Sequence, residues 1–189
     1  MASKLNPYTG KLQLLNESSG EQSYPLSLQQ DFLAGRSLNV SGQTPNSFIT
    51  FPISILGEVT IQGLTIELTT VGTGNALVGI YDTDSNGDAG SLLDVVTSEY
   101  DLTITGQQTI NFATPLKLSV GTYNVAFTRD GSGGLFRVSN IVDFSYGVNG
   151  TTIYQRSSVA RTYDGTLPTT APTPNYLAGG APRVTFNLI

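Results

Sequence analysis

The sequence contains no cysteine and no histidine. Without thiols the chain has no disulfides or thiolate metal sites, and a small extracellular protein that lacks disulfides is usually stabilised by oligomerisation. Without imidazole, Ser-His-Asp and Cys-His nucleophile systems and histidine zinc sites are excluded. Carboxylates, lysine and tyrosine are the chemistry left for an enzyme. We therefore predict that the protein is not an enzyme and uses no cofactor.

Charge is also scarce. Charged residues make up 12% of the chain, and nine basic against fourteen acidic residues give a net charge of −5. No cluster of Lys and Arg is present that could replace the counterions around phosphates, so we expect no nucleic-acid partner. A surface with so little charge must be covered by Ser, Thr, Asn, Gln and Gly, which suit strands and tight turns.

The apolar segments are short. None approaches the roughly 20 residues that a membrane-spanning helix needs, and the first residues lack the apolar stretch of a secretory signal. The sequence thus predicts a protein that is made in the cytoplasm and has no membrane partner.

Short segments of alternating apolar and polar residues recur along the chain and predict strands at 47–55, 59–68, 76–81, 109–112, 123–127 and 183–188. Turns rich in Gly, Asn and Asp separate them at 72–75, 85–88, 130–134 and 148–150. This spacing favours an all-β antiparallel sandwich. Segment 76–81 is continuously apolar, as in a strand buried on both faces. Segment 92–99 is the one helical candidate, and it fits a strand equally well.

The first 24 residues differ in texture from the body, which we place at 25–189. A turn at 6–10 precedes a short alternating segment at 11–15, and a polar linker follows at 16–23. We predict that this region is an extended docking arm, with the alternative of a frayed terminus. Its contact residues would be Leu5, Pro7, Tyr8, Leu12 and Leu14.

An acidic loop after the third predicted strand has the spacing of a calcium loop. Asp82, Asp84 and Asn86 alternate and are followed by glycine, as at the start of an EF-hand. The twelfth position, however, is Leu93, where a bidentate glutamate should close the coordination. We therefore predict a structural turn capped by its own side chains and assign no metal site, with calcium as the weaker alternative.

Three tyrosines lie in chain rich in Gly, Pro and Thr and are candidate interface or ligand-loop residues: Tyr154, Tyr163 and Tyr176. A tyrosine ring with its polar tip suits both protein interfaces and sugar platforms. The carboxylates show no spacing that marks the acid pair of a glycoside hydrolase. Those weighed for such a pair are Glu58, Glu67, Asp94, Glu99 and Asp101.

Several stretches together resemble jelly-roll structural proteins of tailed-bacteriophage virions. They are the Gly-Ile-Tyr strand end with its acidic turn at 77–93, the Thr-Gly bend at 105–106, the Gly-Thr-Tyr motif at 121–123, the Gly-x-Leu-Pro turn at 165–168 and the Asn-Pro-Tyr-Thr-Gly-Lys-Leu opening at 6–12. Asn124 departs from the family, which often has Trp at this position, and the chain has no Trp at all.

The resemblance implies a jelly-roll body that decorates or cements a capsid, or forms part of a tail appendage. The implied location is the virion, assembled in the host cytoplasm. The implied partners are other virion proteins, such as the major capsid protein, and further copies of the chain, for which we expect a homotrimer. The alternative function is a tail- or head-fibre adhesin that binds host-surface carbohydrate through loops 72–75, 85–90 and 131–134. The absence of Trp counts against it.

Overall fold

The computed structural model describes residues 2–5, 12–15, 38–139, 156–177 and 181–189. In these ranges the strands are β1 (Ala2–Leu5), β2 (Leu12–Leu15), β3 (Leu38–Ser41), β4 (Ser47–Ile55), β5 (Val59–Gly72), β6 (Asn75–Thr83), β7 (Ala89–Val95), β8 (Tyr100–Asp101), β9 (Gly106–Leu118), β10 (Gly121–Arg129), β11 (Gly133–Ser139), β12 (Arg156–Ala160), β13 (Tyr176–Leu177), β14 (Ala181–Pro182) and β15 (Val184–Leu188). Within the same ranges there is no helix long and apolar enough to cross a membrane.

Eight of the strands form one long antiparallel ribbon. β3 pairs with β11, β4 with β10, β5 with β9, and β6 with β7, so the first four strands pair with the last four in reverse order. Because the ribbon is folded over, β3-β11-β5-β9 and β4-β10-β6-β7 lie in two different sheets. This winding is a jelly roll, and the predicted all-β sandwich is confirmed.

The remaining strands extend these two sheets. The front sheet has the order β13-β12-β4-β10-β6-β7, with β8 paired to β6. In the back sheet, β14 pairs with β11 and β15 with β5. β1 and β2 form a separate two-stranded hairpin.

The core lies between the two sheets. Side chains alternate along a strand, so every second residue of each central strand points inward. From the front sheet these include Ile49, Phe51, Val78, Ile80, Val125 and Phe127, and from the back sheet Ile61, Leu64, Ile66, Phe136, Val184 and Phe186, each at most 2% exposed. Phe127 and Phe136 meet edge to face across the core, with ring centroids 5.1 Å apart.

The outer face of the front sheet is buried as well. Phe48, Leu77, Tyr81 and Ala126 alternate with the core residues, yet each is at most 5% exposed. Residues 161–175, which we call the strap, lie over this face at Gly79 and Tyr81. The strap begins beside β4, where the Arg161 amide donates to Asn46 O. The sandwich therefore has a third layer on this side.

Main-chain bonds trace the path of the strap. Leu92 N donates to Thr169 O at 2.9 Å, and Ala171 N donates to Gly90 O at 2.8 Å, so the strap reaches the β7 edge. It then returns to β12, where Ser158 N donates to Asn175 O at 2.9 Å. The proline-rich segment thus crosses the outer face and comes back.

The connections between strands gather at two opposite ends of the sandwich. At the loop end lie residues 42–46, 73–74, 96–105 and 130–132, together with the start of the strap. At the turn end lie residues 56–58, 84–88 and 119–120.

Most predicted strands agree with the structure. Segment 47–55 is β4, and segment 76–81 lies in β6 and is buried on both faces as predicted. Of the segment 92–99 that fitted helix or strand, residues 92–95 lie in β7 (Ala89–Val95) and 96–99 lie beyond it. The predicted turn at 148–150 lies outside the described residues.

Gly79 tests the third layer. A methyl group there would lie 2.5 Å from Leu167 Cδ1 and 2.8 Å from Asp94 O. Because the second neighbour is backbone, we expect Gly79→Ala to lower the free energy of unfolding by about 1–3 kcal/mol, as overpacking does. Urea denaturation measures this.

Gly42→Ala is the matched control. A methyl group at Gly42 would lie 3.7 Å from its nearest neighbour, Gly134 O, which is ordinary contact. The control variant should unfold close to the parent midpoint. If both variants unfold at the same urea concentration, the close contact described between the strap and Gly79 is contradicted.

Candidate functional site

Two of the three loops proposed to contact a ligand interlock at the loop end. Thr73 N donates to Ser132 O at 3.0 Å, and Ser132 N donates to Thr73 Oγ1 at 3.0 Å. Asn75 N donates to Asp130 Oδ1 at 2.7 Å. The third loop, 85–90, begins at the far end of β6 and so lies at the turn end. One continuous ligand surface could therefore include 72–75 and 131–134, but not 85–90.

A tyrosine–carboxylate pair joins the strap to the loop end. The Tyr163 hydroxyl donates to Glu99 Oε1, and Asn75 Nδ2 donates to Glu99 Oε2 at 2.9 Å. The Tyr163 amide donates to Asn46 Oδ1 at 3.0 Å. Burial and the hydrogen bond to Glu99 raise the pKa of Tyr163 above its ordinary value. Glu99 is thus an acceptor that holds three segments together.

The first turn of the strap is capped by Asp164. Its carboxylate accepts from Thr166 N at 3.0 Å and Thr166 Oγ1 at 2.7 Å, and Arg161 Nη2 forms an ion pair with it at 2.9 Å. These hydrogen bonds, first from Thr166 and then from Arg161, hold the pKa of Asp164 below its ordinary value. The group is at the surface and shapes the turn.

Arg129 is a buried cation that the sequence analysis missed. It is 1% exposed, on the inner side of β10. Its Nε donates to Gly131 O at 2.8 Å, Nη2 donates to Gly133 O at 2.7 Å, and its guanidinium carbon lies 5.5 Å from the Phe136 ring centroid. Burial lowers its pKa, and nearby Asp130 acts in the opposite direction. Its position two residues after Phe127, in the alternation that begins at Val125, was the available signal.

The acidic loop at the turn end has the geometry of a structural turn. Asp84 Oδ1 accepts from Asn86 N at 2.8 Å and Asp88 N at 2.9 Å, while Asp82 Oδ1 accepts from Ser91 N. Burial alone would raise the pKa of Asp84, but the hydrogen bonds from Asp88 and Asn86 outweigh it and lower the pKa. Among the described residues, no group of three or more His, Cys, Asp or Glu is placed to hold a metal ion.

Tyr176, just beyond the strap, makes the second tyrosine–carboxylate pair. Its hydroxyl lies 2.7 Å from both carboxylate oxygens of Asp88, which is 6% exposed. Burial and the bond to Asp88 raise the pKa of Tyr176 to about 12. Tyr163 and Tyr176 are both half-buried, and their hydroxyls bond to carboxylates at opposite ends of the front sheet. The interface role predicted for them stays a prediction, and Tyr154 lies outside the described residues.

Other carboxylates weighed as catalytic acids also have local partners. Glu58 forms an exposed ion pair with Lys117 at 2.9 Å, Asp94 Oδ1 accepts from its neighbour Val95 N at 2.8 Å, and Asp101 caps Thr103 N at 2.8 Å. Hydrogen bonds from Thr103 hold the pKa of Asp101 below its ordinary value. These contacts stabilise turns and strand ends.

The predicted docking residues fall partly on the N-terminal hairpin. The register pairs Leu5 with Leu12 and Ser3 with Leu14. Leu5, Leu12 and Leu14 thus lie in the paired residues of the two strands. Pro7 and Tyr8 lie outside the described residues.

Comparison with family models, with curated proteins and with solved structures finds no match to this chain.

Asp88 should control the ionisation of Tyr176. The folded chain holds the Tyr176 proton more tightly, so this contribution to stability is complete below pH 10 and is lost as the pH rises toward about 12. We expect Asp88→Asn to bring the pKa of Tyr176 down from about 12 toward 10. The phenolate absorbance of each protein, minus that of its Tyr176→Phe variant, measures this.

Asp130→Asn, at the loop end, is the control and should leave the titration of Tyr176 unchanged. An unaltered pKa in Asp88→Asn would show that burial alone accounts for the shift.

Proposed function

We propose that the protein is a structural component of a bacteriophage virion, which attaches to a neighbouring virion protein through hairpin β1–β2 and presents the jelly roll at the particle surface. The major capsid protein is the proposed partner, and the location is the capsid in preference to the tail. The role is capsid decoration or cementing, without catalysis.

The hairpin is the observation that carries the proposal. Its two strands pair with each other in a sheet of their own, and four of their eight residues are leucine. A lone two-stranded hairpin is marginal in water, because it has no second layer to cover its apolar face. A groove or sheet edge on a partner would supply that layer. At about 25 cal/mol per Å² of apolar area removed from water, such a contact contributes several kcal/mol.

Oligomerisation would strengthen this attachment. Several hairpins carried by one assembly bind as a unit, because after the first contact the others bind at a high effective concentration. We propose a homotrimer, in keeping with a chain that has no disulfides to stabilise it.

Substitution of the three predicted contact leucines of the hairpin tests the attachment. We expect Leu5→Ser/Leu12→Ser/Leu14→Ser to lose binding to particles that lack the protein by at least about tenfold, since each buried leucine is worth about 1.5–3 kcal/mol. Deletion of residues 1–15 should likewise leave a folded body that no longer attaches. Cosedimentation with particles measures both effects, and circular dichroism checks the body.

The matched control changes Lys4 and Gln13, two polar residues of the hairpin that the register pairs with each other. Lys4→Ser/Gln13→Ser should bind like the parent. If the deletion variant still binds particles, the docking role is wrong. If the parent protein binds host glycans on an array, and substitutions at 72–75 or 131–134 abolish that binding, the adhesin alternative replaces the proposal.

Light scattering after size exclusion tests the trimer. We expect a mass three times that of the 20.0 kDa chain, because three copies would provide the multivalent attachment described above. The triple-leucine variant should keep the parent mass if the hairpin serves only for attachment. A monomer mass at all accessible concentrations would refute the trimer and leave the hairpin test unaffected.

A further inference from the structure

The strap is attached to the rest of the body by few buried side chains. Pro168, Pro172 and Pro174 have no N–H to donate, and Leu167 is the one residue of 161–175 whose side chain is fully buried. By contrast, β10 is in register with β4 over residues 121–129 and with β6 over 124–129. Regions with few buried contacts and exposed backbone hydrogen bonds open at lower free energy than the core around them.

The two tyrosine–carboxylate bonds act as latches at the two ends of this layer. Tyr163 bonds Glu99 where the strap starts, and Tyr176 bonds Asp88 just after the strap ends. Between them, Leu167 lies on Gly79, and the Tyr81 hydroxyl donates to Pro168 O. These contacts attach the strap, and β13 just after it, to Glu99 and Asp88 in the loops and to Gly79 and Tyr81 in β6, and none of them is a strand pair of the ribbon.

The surface beneath is complete without the strap. All four strand pairs of the ribbon lie between residues 38 and 139, before the strap begins. Removing the strap would therefore uncover Gly79 and Tyr81, which it contacts, and the neighbouring Ala126, without breaking any pairing of the ribbon. We propose that the strap is a hinged cover, which opens as a unit while the jelly roll stays folded and so uncovers the buried outer face of the front sheet. The proposal is independent of the virion role.

Single thiols provide a direct test, since the chain has no cysteine of its own. Ala126→Cys places a thiol under the strap, and Ala76→Cys places one on the inner face between the sheets; both alanines are 0% exposed. A buried thiol reacts with a labelling reagent only when its surroundings open. We expect the thiol at position 126 to react at least about tenfold faster than that at 76, because opening the strap requires less free energy than opening the core.

Variants of the two latches provide a second test in the same labelling experiment. Tyr163→Phe and Tyr176→Phe each remove one hydrogen bond and should each speed labelling at position 126 about fivefold, with no change at position 76. Equal labelling rates at the two positions, or a latch variant that speeds both equally, would show that the strap opens only when the whole body unfolds.

Hydrogen exchange tests the same proposal on the unsubstituted protein, in case Ala126→Cys does not fold. The amides of Leu92 and Ala171, which join strap and β7, should exchange together and faster than the amides of β10. Exchange of all these amides at one common rate overturns the proposal.

Discussion

The central strands of the front sheet are buried on both faces, and much of the molecule follows from this. Apolar area must be removed from water on each side, so the sheet needs two covers. The back sheet covers the inner face, and the strap covers the outer face. Because the strap must lie close to β6, that strand has a glycine at position 79, where any side chain would meet Leu167 and the backbone of β7.

The few charged groups act mainly within the fold. Asp84 and Asp164 cap turns, Glu99 and Asp88 accept from tyrosine hydroxyls, and Arg129 binds the carbonyls of its own loop. Hydrogen bonds with one charged partner are stronger than neutral ones. A chain with little charge thus places these groups where segments from different sheets and loops meet, which fixes the two ends of the sandwich.

The strands were predictable because alternation is local: β4 and the two-sided burial of β6 follow from their residues alone. The turn at 82–88 could also be predicted, since Asp and Asn side chains cap nearby amides. The strap could not, because a proline-rich segment has no periodicity to show which face it covers. The hydrogen bond between Tyr163 and Glu99, 64 residues apart, could not be predicted either, because it depends on the winding of the ribbon. Arg129 follows the same alternation as Phe127, but a charged side chain is normally expected to be exposed.

The strap and the hairpin differ in what completes them. The strap meets its apolar partner within the same chain, next to a sheet already built by the ribbon, so intramolecular contact favours the closed state. The hairpin has its own backbone pairing but no second layer within its sheet. Two strands without a packed face gain little stability from pairing alone. The central strands of the front sheet are thus covered within the chain, whereas the hairpin is a sheet of two strands that pair with each other.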